Sequence, residues 1–245
     1  MHSIGAATDL QFVFPNRAWG PKMFPPLYAV LDEDLMKTPA VKCAAELVSA
    51  GVNLIQYRAK NLSSRKYFEN CATLAEALAT RNARFIVNDR PDIAAMVGAG
   101  GVHVGQQDLH PADARRICGT GRWVGVSTHN LEQVRAVANA PVDYIAVGPV
   151  YPTATKKNPD PVVGPALIRE ARKLTRKPIV AIGGITLERA SEVFAAGANS
   201  VAVIRDILDS RDPAARAREF LVIAARSQAA SGSAEEKSRG GKRNG

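Results

Sequence analysis

The sequence predicts an α/β fold, a closed (β/α)8 TIM barrel in a single domain. Three observations carry this: short β-rich apolar runs alternate with longer helical patterns, eight of each fall within 27–226, and polar residues gather where the apolar runs end. An open doubly wound sheet usually has fewer strands.

The run LYAVL at 27–31 leads to the helical pattern PAVKCAAELVSAG, VNLIQY at 52–57 to SSRKYFENCATLAEALATR, ARFIV at 83–87 to PDIAAMVGAG, and GVHV at 101–104 to PADARRICG. RWVGV at 122–126 precedes NLEQVRAVANA, and DYIAV at 143–147 precedes GPALIREARKL. PIVAI at 178–182 precedes TLERASEVFAAGA, and SVAVI at 200–204 precedes DPAARAREFLVIAAR. The strand runs are β-branched and aromatic; several helical patterns open on a capping residue or a first-turn proline and close on Gly or Asn. AGVNLIQ, GAGGVHV and AGANSVAV repeat one joint, a helix end followed by a glycine in the left-handed C′ position and then a strand. Residues 1–26 contain QFVFPNRAWGPKMFPP, whose aromatics and four prolines suit an N-terminal extension that plugs the N-terminal face of the barrel, not a ninth strand. The barrel is expected over 27–226, and 227–245 (SQAASGSAEEKSRGGKRNG) as a disordered basic tail with little apolar surface to bury.

At 46% hydrophobic and 22% charged, the composition excludes a collagen, a disordered chain and a disulfide scaffold. No run is apolar enough for a membrane span, and MHSIGAATDLQFVF lacks the basic start and apolar core of a secretory leader, so a cytoplasmic location is expected. Cys43, Cys71 and Cys118 are widely spaced, without a C-x-x-C pair, and fit a reducing compartment. Only four basic and two acidic residues fall in 227–245, so most of the +9 net charge belongs to the rest of the chain. Without an aromatic-interleaved basic patch or zinc-finger spacing, that charge points to small phosphorylated molecules, not to nucleic acid.

In this architecture chemistry belongs to the loops that follow the strands. Strand two ends Gln56-Tyr57-Arg58-Ala59-Lys60, and the period-two pleat places Gln56, Arg58 and Lys60 on one face as an anion site. Strand three ends Asn88-Asp89-Arg90-Pro91, where Asn88 or Asp89 is placed either to cap the next helix or to act at the mouth. Strand four leads to Gly105-Gln106-Gln107-Asp108; Asp89 and Asp108 together are the minimal protein donor set for Mg²⁺ bound mainly through phosphate oxygens. Ser127-Thr128-His129 follows strand five, and a long proline-bearing connection with Thr153, Thr155 and Lys156 follows strand six as a lid or binding loop. Strand seven ends at Gly183-Gly184 and strand eight at Ile204-Arg205, in the place where this fold recurrently binds phosphate. Two anion sites with two acids between them imply a substrate pair, one diphosphate with metal and one monophosphate. His103 and His129, each without an obvious partner, read as structural or ring-contacting residues.

Q-Y-R-A-K, N-D-R, G-V-H-V-G-Q-x-D-L, G-V-S-x-H, G-P-V-Y-P-T-x-T-K and A-I-G-G-I, in this order, resemble the thiamine phosphate synthase family from about Leu27 to Arg226. The resemblance implies a TIM-barrel transferase that condenses a hydroxymethylpyrimidine diphosphate with a thiazole phosphate and releases diphosphate with Mg²⁺. It places the pyrimidine diphosphate on Gln56, Arg58, Lys60, Asn88, Ser127 and Lys156, of which Arg58, Lys60, Ser127 and Lys156 carry the chemistry. Mg²⁺ falls on Asp89 and Asp108, and the thiazole phosphate on Thr153, Thr155, Gly184 and the Ile204-Arg205 junction. Arg205 departs from the family, which commonly has serine there; its guanidinium is placed either to grip the phosphate or to pair with Asp206 or Asp209. Two rivals stay open, a thiazole tautomerase-like barrel and a catalytically idle phosphate-binding regulatory barrel. Asp89, Asp108 and Lys156 argue against the tautomerase, which has no diphosphate to ionise. A homo-oligomer is compatible with every reading.

Overall fold

A computed structural model describes residues 24–155 and 160–240. Eight parallel strands, β1 (Leu27–Asp32), β2 (Leu54–Arg58), β3 (Arg84–Asn88), β4 (Gly101–Val104), β5 (Trp123–Thr128), β6 (Tyr144–Val147), β7 (Ile179–Ile182) and β8 (Ser200–Val203), form a closed barrel in sequence order. The ring shuts where Leu27 pairs with Val201. Helices α1 (Ala40–Ser49), α2 (Ser64–Ala79), α3 (Pro91–Met96), α4 (Pro111–Cys118), α5 (Leu131–Ala138), α6 (Gly164–Leu174) and α7 (Leu187–Ala195) alternate with the strands. A short α8 (Arg205–Leu208) and a long α9 (Pro213–Gly240) follow β8.

The pleat sorts every strand into two cores. Along β1, Leu27, Ala29 and Leu31 join the shell between barrel and helices, while Tyr28 and Val30 enter the barrel beside Leu54, Ile86, Tyr144 and Val180. The αβ joints carry the expected left-handed glycines, with φ of 101° at Gly51, 68° at Gly98 and 105° at Gly197. Among the described residues no helix is long and apolar enough to cross a membrane.

The N-terminal mouth is closed by Phe24. Its ring is 4% exposed, stacks on Trp123 at 5.1 Å between centroids and lies 5.4 Å from Tyr144, and the Arg84 guanidinium caps the other aromatic at 4.1 Å from the Trp123 ring centre. This is the position assigned to the extension; its residues 1–23 lie outside the described residues.

Three boundaries differ from the sequence reading. β2 begins at Leu54 and ends at Arg58, so the pleat stops before Lys60. β8 ends at Val203, and Ile204 and Arg205 open the extra helix α8. Where a disordered tail is expected from Ser227, α9 runs on to Gly240, because Ala, Gln, Glu, Lys and Arg prolong a helix already anchored by buried Ala217, Phe220 and Ala224. Residues 241–245 lie outside the described residues.

Phe24→Ala is expected to destabilise the barrel by about 3 kcal/mol, the usual cost of emptying a buried aromatic site. A denaturant midpoint series checks this; a loss under about 1 kcal/mol would show that the plug contributes little packing.

Candidate active site

At the C-terminal mouth of the barrel the strand exits enclose a cavity of about 540 Å³. Gln56 and Arg58 from β2, Asn88 from β3 and Ser127 from β5 line it. So do Thr153, Thr155, Gly184, Ile204 and Arg205, which follow β6, β7 and β8. Residues assigned in the sequence to two separate anion sites therefore line one space, with Lys60 not among them.

Arg58 does not stand alone. Its Nη1 donates to Oδ2 of Asp32, the last residue of β1, whose carboxylate is 2% exposed. The registers of β1 and β2 set Asp32 opposite Arg58, so barrel pairing itself aligns the two. A buried carboxylate needs such a partner, and the charge-assisted contact in turn fixes where the guanidinium points.

Lys60, Asp89 and Asp108 form a second cluster, which is not among the residues that line the cavity. The Lys60 ammonium bonds Oδ2 of Asp89, and Oδ2 of Asp108 accepts the Gly105 N–H at 2.7 Å. Lys60 reaches this place because β2 has ended; it does not continue the Gln56–Arg58 face as the pleat argument expects. Burial, reinforced by the adjoining Asp108 carboxyl, pushes the Asp89 carboxyl up to about 6 against the opposing pull of Lys60. Asp89 also has φ of 62°, the one non-glycine in the left-handed region among the described residues, and its N–H is held by the His103 carbonyl at 2.8 Å. Neither Asn88 nor Asp89 caps α3. The N-cap is Arg90, whose guanidinium bridges Asp92 and Ser64, which leaves Asn88 to the cavity and Asp89 to the acid pair.

The other wall is made of backbone. Gly183 and Gly184 take φ of 100° and 60°, and a Cβ at Gly184 would run into Tyr151 and the Pro152 carbonyl. Arg189 spans this turn: it donates to the Gly184 carbonyl at 2.7 Å and lies 4.6 Å over the Tyr151 ring. The Thr155 N–H reaches the Thr153 hydroxyl at 3.3 Å. Arg205 lines the cavity and also pairs with Asp209 at 3.4 Å across one turn. Lys156 lies outside the described residues.

The histidines are better partnered than isolated positions suggest. His103 lies between Tyr144 and Ser127, and His129 contacts the Gly148 carbonyl at 2.6 Å and Asp160 at 3.4 Å. Thr128 is buried on the Ala146 carbonyl instead of facing the mouth. Sequence reasoning missed Asp32, Tyr28, Tyr144 and Arg189. Asp32 was within reach, since it too is a strand exit; the tyrosines are mid-strand and look like ordinary core.

A family model described as thiamine monophosphate synthase matches residues 27–207. A thiamine-phosphate synthase of Koribacter versatilis is 48% identical over 204 residues, 81% of this chain and 95% of that protein. One of Methanospirillum hungatei is 42% identical over 195 residues, with 79% and 95% covered. Among solved structures, a thiamine phosphate pyrophosphorylase from Pyrococcus furiosus superposes with a TM-score of 0.75 at 30% identity, covering 82% of this chain and 96% of its own.

Asp108→Asn is expected to bring the Asp89 titration down from about 6 toward the ordinary carboxylate range, because the neighbouring charge disappears while burial stays. A carboxyl ¹³C titration reads the midpoint; an unmoved value would assign the whole displacement to burial.

Proposed function

The chain belongs to the thiamine monophosphate synthase family, and from that premise we propose that it condenses hydroxymethylpyrimidine diphosphate with thiazole phosphate to give thiamine phosphate and diphosphate. The observation that carries this reading is the shared cavity: Gln56, Arg58, Asn88 and Ser127 line it together with Thr153, Thr155 and the Gly183-Gly184 turn. One space thus offers a cationic, amide-bearing wall for a diphosphate ester and a backbone-rich wall for a monophosphate.

The reaction forms a bond from the thiazole nitrogen to the pyrimidine methylene carbon and breaks the bond from that carbon to the diphosphate oxygen. The electron pair leaves with diphosphate, and no proton has to be taken from the nucleophile, so a general base is not required. What the protein must supply is neutralisation of charge on the departing oxygens and exclusion of water from the pyrimidine cation. Arg58, pre-aimed by Asp32, supplies one positive charge within the cavity; Lys60, paired with Asp89 next to the cavity-lining Asn88, is assigned a second and Lys156 a third from the resemblance alone. Thr153, Thr155 and the N–H groups around Gly184 bind the thiazole phosphate and hold its nitrogen toward the reacting carbon. Arg205 borders this site from its pairing with Asp209.

Asp89 and Asp108 fit Mg²⁺. They are two hard oxygen donors held side by side against mutual repulsion, the donor number that suits an ion whose remaining positions are filled by diphosphate oxygens and water. When bound there, Mg²⁺ would offset negative charge on the leaving group. The three buried free cysteines accord with a reducing compartment, and we place the enzyme in the cytoplasm.

Incubation with both substrates and Mg²⁺ is expected to yield thiamine phosphate and diphosphate in equal amounts. Asp89→Asn and Asp108→Asn should each raise the Mg²⁺ concentration for half-maximal rate by about tenfold or more. Absence of product would overturn the synthase reading, and an unchanged Mg²⁺ requirement in both variants would remove the metal from these carboxylates.

A further inference from the structure

Five side chains from five strands form an unbroken line of hydrogen bonds through the barrel. Gln56 Nε2 donates to the Tyr28 hydroxyl at 2.7 Å, the Tyr28 and Tyr144 hydroxyls are 2.9 Å apart, and the Tyr144 hydroxyl is 3.1 Å from His103 Nδ1. His103 Nε2 then lies 2.9 Å from the Ser127 hydroxyl. Gln56 and Ser127 at the two ends line the cavity, Tyr28 and His103 reach it only by an edge, being 1% and 7% exposed, and Tyr144 between them is fully buried.

The line crosses β5 only because Gly125 is there. His103, Gly125 and Tyr144 occupy one register level on β4, β5 and β6, and a Cβ on Gly125 would overlap the Tyr144 ring. The His103 and Tyr144 rings meet over this gap with centroids 5.5 Å apart. A residue with any side chain at position 125 would separate the very groups that the hydrogen bond joins.

Counting protons gives the line a direction. A phenol carries one proton, and burial keeps both phenols protonated by pushing their pKa above the ordinary tyrosine value. Gln56 already donates into the Tyr28 oxygen, so the Tyr28 proton goes to Tyr144; the reverse would leave it buried without a partner. The Tyr144 proton goes to His103 Nδ1, which puts the imidazole proton on Nε2, where it points at Ser127 Oγ. The Ser127 proton is then released toward the cavity, and the Gln56 amide, its nitrogen turned inward, presents its oxygen there.

We propose that Tyr28, Tyr144 and His103 are positioning residues that set the neutral Nε2–H tautomer of His103 and so hold Ser127 as a donor and Gln56 as an acceptor toward the substrate. The inference rests on the proposed function in one respect, that the pyrimidine diphosphate is the ligand meeting this donor and acceptor.

The test is ¹⁵N NMR of histidine-labelled apo protein at neutral pH, with His103 assigned by its loss in His103→Gln. The expected result is a protonated Nε2 and an unprotonated, hydrogen-bonded Nδ1. Tyr144→Phe, which removes only the hydroxyl, should abolish that preference. It should also raise the KM for the pyrimidine diphosphate by about three- to tenfold, the scale of one lost buried hydrogen bond, with a smaller change in kcat and none in the KM for thiazole phosphate. Tyr28→Phe, one link further along, should show the same KM pattern and serves if Tyr144→Phe does not fold. A wild-type Nδ1–H tautomer or imidazolium would overturn the proposal, as would His103 resonances that Tyr144→Phe leaves unchanged. The nitrogen spectrum is read without substrate, so it decides the proposal even where a failed turnover assay rejects the synthase reading.

Discussion

Closing eight parallel strands into one ring forces alternate side chains of each strand into a space only a few residues wide, and this parity constraint governs the rest of the molecule. A residue is either shell or interior, with no third choice. Tyr28, Val30, Gln56, Asn88, His103, Ser127 and Tyr144 become neighbours because their strands assign them all to the inside, although more than a hundred residues separate Tyr28 from Tyr144. Phe24 and Trp123 close the interior at one end, and at the other Gln56, Asn88, His103 and Ser127 bring polar groups to the cavity among apolar Val30, Val180 and Ala202.

The polar upper layer cannot be stable as isolated groups. Each buried polar atom taken from water needs a partner, and the barrel answers by pairing across adjacent strands. Asp32 of β1 meets Arg58 of β2, and Gln56 of β2 meets Tyr28 of β1. Tyr67 of α2 ties the neighbouring exits together, its hydroxyl 3.0 Å from the carbonyls of Tyr57 and Asn88. Such pairings restrict rotamers before any ligand arrives, which is the preorganisation that transition-state stabilisation demands.

Two features run against stability and concentrate at the mouth. Asp89 is held in a left-handed backbone conformation, and its carboxyl is half-buried next to a second acid. Both are costly, the pattern expected at a functional site that gathers oxygen donors for a cation.

By itself the sequence determined the barrel, the order of its strands and the exits at which polar residues collect, because these follow from local periodicity: apolar runs, helix caps, and glycine at the αβ joints. It also determined the family, since the motifs at those exits are contiguous in the chain. Only the tertiary structure decided which polar residue meets which. Asp32 beside Arg58, Lys60 turned to Asp89 once β2 ends, Arg205 drawn to Asp209 by an unforeseen helical turn, and Tyr144 reaching His103 across Gly125 all depend on strand register or on where an element stops. Periodicity tells which face a residue takes; the level at which it stands in the ring is set by pairing between distant segments, and a reading of short windows does not contain that information.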